Sequence, residues 1–295
     1  MNTTRRLFLS MLTGLVLFPL GALARAEERE SDPAFRDEPQ LIAGYRLLYE
    51  QKFEEGRKLF TTWSEQHPSE PLGPVAIAAS YLFDELMEKG VLTSEFFMDD
   101  NKFLKGIEGK PDPVRMKGFL EGLARGRELA KARLKARPKD PGALFCLTLA
   151  AGMESNANSM LLKKPFDALK RMKEANENAK LLLAQRPDAQ DAWVALGSAN
   201  YIIGSLSAGF RMLLWFGNVH GDKELGMQQT EKAAINGRYL RPFAKILLAL
   251  AARRERQVPL ARKMLKELTE EFPASKSFAA EYKKALAAPV SPAKS

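Results

Sequence analysis

The sequence predicts an all-α protein: an α-solenoid of about five helical hairpins, with insertions and a C-terminal capping helix. Three observations lead there. No alternating apolar-polar run is long enough to make a strand. Pro68, Pro138, Pro187 and Pro273 each follow a charged amphipathic run, and proline stops a helix because it lacks an N–H and clashes with the preceding turn. Counting back from each proline in steps of five, three and four residues, one pattern recurs. It reads Trp63, Phe60 and Gly56; Leu182, Ala179 and Ala175; Leu268, Leu265 and Ala261. Before Pro138 it reads Arg133, Ala130 and Gly126, where only the arginine departs. A fifth copy has Ala233, Thr230 and Gly226, with Arg238 in the proline slot.

The spacing of four and three puts each triplet on one helix face. The member nearest the N-terminus is always Ala or Gly, which lets a neighbouring helix approach closely. A stack of hairpins needs this, since each pair buries its face only against the next.

Taken in order, the chain opens with a reading of export. Arg5 and Arg6 precede an apolar run from Leu7 to Leu23, and Ala24-Arg25-Ala26 then fits a signal-peptidase site. Residues 1–26 are expected to be a cleaved signal peptide, placing the protein in the periplasm or outside the cell. Thr4-Arg5-Arg6-Leu7-Phe8-Leu9 resembles the twin-arginine export motif, with Ser10 in place of its final lysine. Residues 27–36 read as a flexible mature N-terminus, 37–286 as the solenoid, with Ser275 to Leu286 as its cap, and 287–295 as a disordered tail.

The register of the repeats resembles the tetratricopeptide repeat (TPR), whose second helix carries Ala-x3-aromatic and ends in proline. Its first helix carries W-x2-L-G-x2-Y, and Trp193-Val-Ala-Leu196-Gly197 is similar. The tyrosine slot holds Asn200, with Tyr201 one position later. Gly44, Phe53 and Gly56 fall in register in the first repeat, as do Leu248, Ala249 and Ala261 in the last. The resemblance implies paired antiparallel helices and a concave binding groove.

The prolines are spaced more widely than the family period of about 34 residues, so insertions are expected. One runs from Val91 to Pro113. A second lies in "AAGMESNANSMLLKKP", and a third, apolar, from Ile202 to Gly221.

The chain is basic, with a net charge of +9, but its charges alternate as they do on solvated helix faces. The single cysteine, Cys146, cannot form an intrachain disulfide and sits in an apolar helical stretch. His67 and His220 are far apart, and no cluster has metal-ligand spacing. There is no G-x-S-x-G, P-loop or dinucleotide fingerprint. The expectation is therefore no enzyme, no cofactor, no metal and no nucleic acid. The expected function is binding of a partner protein or peptide in the groove. The alternatives are a small apolar ligand, in a helper of a transport system, and peripheral membrane association through the third insertion. Candidate binding residues are Phe210, Arg211 and Trp215 in that insertion, with Asn200 and Tyr201 beside it.

Overall fold

The computed structural model describes residues 32–99, 106–206, 208 and 220–288. They form twelve α-helices and no strand. In chain order these are α1 (Pro39–Tyr49), α2 (Phe53–Gln66), α3 (Leu72–Glu88), α4 (Ser94–Met98), α5 (Pro113–Ala136) and α6 (Pro141–Asn156). Then follow α7 (Pro165–Gln185), α8 (Trp193–Ser205), α9 (Lys223–Asn236), α10 (Arg241–Arg254), α11 (Val258–Glu271) and α12 (Lys276–Ala287). The signal-peptide region lies outside the described residues, as does the tail beyond residue 288.

Five pairs pack face to face: α1 with α2, α3 with α5, α6 with α7, α8 with α9 and α10 with α11. Each pair also packs on its neighbour in the chain, and α12 covers α11. The triplets lie in these contacts. Phe60, Ala179, Leu182, Ala233 and Leu268 have no exposed surface, and Trp63 and Ala261 keep 1% each. A Cβ added at Gly56 would stand 2.9 Å from the Gly44 carbonyl oxygen, and one at Gly226 would stand 2.5 Å from the Tyr201 nitrogen. Backbone meets backbone at these points, so no side chain fits. Ala175 is buried in the same slot of α7. Ala175→Leu should overpack that pair and cost about 1–3 kcal/mol, read as a lower thermal midpoint.

The turns repeat as faithfully as the faces. His67, Arg137, Arg186 and Phe272 precede the four prolines in one shared non-helical conformation, with φ of −128°, −134°, −133° and −126°. Each donates its N–H to the carbonyl four residues back. Each then accepts, at 3.0 Å, the N–H of the residue three further on: Glu70, Asp140, Ala189 and Ser275. At the other end of the hairpins, α1, α3 and α10 finish in one shared motif. Lys52, Val91 and Gln257 donate to carbonyls five residues back, with Gln51, Gly90 and Arg256 at positive φ between.

Arg133, the residue that departs from the triplet, occupies its slot as a charge. It pairs with Asp32, with Glu70 at 2.7 Å and with Asp140 at 3.1 Å. Burial works against its charge, but the three carboxylates hold the guanidinium protonated. Asp32 belongs to the stretch expected to be flexible. Residues 32–35 of it pack on the fold: Ala34 is 4% exposed, the tilted rings of Phe35 and Phe145 have centroids 6.0 Å apart, and the Pro33 carbonyl accepts from the Tyr239 hydroxyl at 2.7 Å.

That last contact is one of a set joining the first helices to the last. The Tyr49 hydroxyl donates to the Tyr239 carbonyl at 2.7 Å, and its ring meets Phe272. Arg46 donates to the Glu271 carbonyl at 2.8 Å, and Gln51 bonds Ser277 at 2.5 Å. Arg238 pairs with Asp37. Phe83 of α3 meets Phe243 of α10 edge to face, with ring centroids 5.7 Å apart. The helices therefore make a closed circuit of contacts, where the sequence led us to expect an open groove.

The first insertion contributes α4, which packs on α10. The Phe97 carbonyl accepts from Arg254 at 2.6 Å, and Glu95 pairs with Lys284 of α12 at 2.6 Å. The second continues α6 into a single wide turn, Ala157–Leu161, with i→i+5 hydrogen bonding. In the third, residues 202–205 belong to α8, while 207 and 209–219 lie outside the described residues.

Candidate functional site

In three of the pairs after the first, the leading helix (α3, α6 or α8) is apolar nearly all round, because it packs on its own partner and on the neighbouring pairs. On α6, Ala143 to Thr148 are all buried. Cys146 is among them, and burial pushes its thiol pKa well above the ordinary value, so it stays a protonated packing group.

Helices α3, α6, α8 and α10 touch in succession, and the Phe83–Phe243 contact closes the round. Some apolar side chains on these four helices are only half-buried: Phe83 on α3, Leu149 on α6, Ile202 on α8, and Phe243 and Ile246 on α10. Gly152 lies one turn from Leu149, on the same side of α6. A Cβ built there meets no atom within 4 Å, so space opens beside this face. These half-buried apolar groups, four of which pack against the hydrophobic core, and the space beside Gly152 make this inner face the candidate binding site.

Of the residues singled out from the sequence, Phe210, Arg211 and Trp215 lie outside the described residues. Asn200 and Tyr201 are on α8, and both are engaged within the fold. Asn200 donates to the Gln229 side chain on α9 at 2.8 Å. The Tyr201 hydroxyl faces Glu255 at 3.2 Å, and Glu255 also holds Lys223 at 2.7 Å. Burial first, then the Glu255 charge, push the Tyr201 hydroxyl up to about 12, so it is a hydrogen-bond donor at neutral pH. These two residues tie α8 to α9 and to the end of α10.

Sequence reasoning missed Leu149, Phe243 and Ile246 as site residues. Periodicity marks them as apolar helix positions and does not separate half-buried from buried. Gly152, in "AAGMESN", was a usable signal: a glycine in mid-helix with no close neighbour.

No group of three or more His, Cys, Asp or Glu side chains among the described residues could hold a metal ion. No helix among them is long and apolar enough to cross a membrane. No family model matches the chain, and no curated protein matches it.

Proposed function

We propose that this chain is an exported binding protein built of TPR-like hairpins, a solenoid that closes on itself, and that it has no catalytic role. Support for the repeat reading comes from the triplets, which except for Arg133 lie buried at one register in five helices, and from turns whose hydrogen bonds recur in four of the five copies.

The observation that carries the binding reading is the half-buried apolar face on α3, α6, α8 and α10, with open space beside Gly152. The contacts joining the first helices to the last favour a small apolar ligand on that face over an extended protein segment. Such a ligand suits a soluble carrier working beside a transport system. A partner protein would then meet the outer surface, or place only a short apolar segment inside.

Gly152→Phe tests this. Replacing a helical glycine with Phe adds about 0.5 kcal/mol of helix propensity, and the new Cβ meets no atom within 4 Å. The thermal midpoint should stay level or rise. Binding of a fluorescent long-chain fatty acid, measured by titration, should be lost. Unaltered fatty-acid binding in the variant, or none in the parent protein, would overturn the reading.

A further inference from the structure

The outer surface carries one feature that the inner face does not use. Phe166, at the second position of α7, is 87% exposed, the most of any large apolar side chain described. Lys163 and Lys164 precede it, and Lys170 follows one turn on. All three lysines are exposed, and no acidic side chain pairs with them among the described residues.

The turn that presents this group is fixed. Leu162 donates to the Ala157 carbonyl at 2.9 Å and Lys164 to the Asn158 carbonyl at 2.7 Å, with Lys163 at positive φ. Along α7, Phe166, Leu169, Lys170 and Lys173 line a shallow cleft of about 510 Å³. Glu174 and Glu177 lie at its far end, and Glu174 is held by Arg127 at 2.5 Å and Arg171 at 2.6 Å. Asp167 is the remaining acid near the tip.

We propose that this end of α7 docks the protein on an anionic lipid bilayer. The chemistry is complementary on both counts. A ring projecting beyond the surface enters the headgroup layer, and lysines around it meet lipid phosphates while their stems cover its flanks. Exposure decides between a bilayer and an acidic peptide. The Phe166 ring is 87% exposed and the cleft beside it is shallow, so a headgroup layer closes round the ring where a peptide in the cleft would leave most of it in water. This docking is independent of any ligand on the inner face.

Vesicle co-sedimentation tests it, using phosphatidylcholine alone and phosphatidylcholine with roughly 30% phosphatidylglycerol. The protein should bind the anionic vesicles only, and more weakly in about 500 mM than in about 50 mM salt. Changing Lys163, Lys164 and Lys170 together to Gln should weaken binding at least tenfold, at about fivefold per lysine. Phe166→Ser should weaken it severalfold. Leu120→Ser, at an exposed apolar site on α5, should change nothing. All five side chains are exposed, so circular dichroism should show every variant folded. Absence of binding to anionic vesicles would overturn the proposal. So would equal binding by the Lys and Phe166 variants, or binding of polyglutamate without binding of vesicles.

Discussion

Asp191→Ala should lower the free energy of unfolding by about 3 kcal/mol or more, at about one to three for each of the three donors left unmet, the lower figure applying to the part-buried ones. Asp191 is 5% exposed, and its carboxylate accepts three backbone N–H groups. Arg238 donates at 2.7 Å, Tyr239 at 2.9 Å and Leu240 at 3.2 Å. The reason lies in the fifth copy of the repeat, which lacks a proline. Gly237 ends α9 there, donating to the Ala233 carbonyl at 2.8 Å. In the other copies the N–H three residues on returns to the residue that ends the helix. Here that N–H is Leu240's, and it turns to Asp191 instead. A side chain from the turn that leads into α8 has replaced a bond the backbone makes for itself elsewhere. Urea unfolding measures the loss, and faster amide exchange at Tyr239 should accompany it. An unchanged midpoint would show that the turn holds without the carboxylate.

Burial raises the Asp191 pKa, and the three N–H donors oppose that shift. In the folded state the group therefore keeps its proton to higher pH than in the unfolded chain. Between the two pKa values the folded state binds more protons, so this group's contribution to stability falls as pH rises through that window. Asp191→Asn should flatten that part of the pH profile. It should cost less than Asp191→Ala, since one acceptor remains.

Trp63→Ala should cost about 3–5 kcal/mol, as expected for removing a large aromatic from a full core. Trp63 is 1% exposed, stacks on His67 with centroids 4.3 Å apart, and donates its ring N–H to Glu38 at 3.2 Å. Truncation would leave both a cavity and a mostly buried carboxylate short of a donor. Trp63→Phe should recover most of the packing but not that bond. A midpoint unmoved by Trp63→Ala would mean that this face of α2 is not core.

Those two residues show what a single sequence makes legible. Trp63 was readable because its role is local: spacing from Gly56 and Phe60 places it on a face, and Pro68 ends the helix after it. Asp191 was not, because its partners lie 47 to 49 residues away and no periodicity links them. Arg133 shows the same limit. Its departure from the triplet was visible, but its neutralisation by Asp32, more than a hundred positions off, was not. The all-α class followed from pattern, whereas the inner face depends on which apolar helix positions stay half-buried. Asn200 and Tyr201 were marked because they depart from a resemblance. The structure gives each a hydrogen-bonding role between helices.

The joining of Tyr49 to Tyr239, and of Arg46 and Gln51 to the last two helices, bears on how the chain folds. Repeat arrays with only neighbour contacts can begin folding anywhere and fray from either end. Here the first pair meets partners separated from it by 190 to 226 residues. During synthesis α1 must wait until α10, α11 and α12 have emerged before it can complete its core. Such late, non-local contacts slow folding and make it more nearly all-or-none. Loss of the C-terminal helices would therefore be felt at the N-terminal pair as well as at their neighbours in the chain.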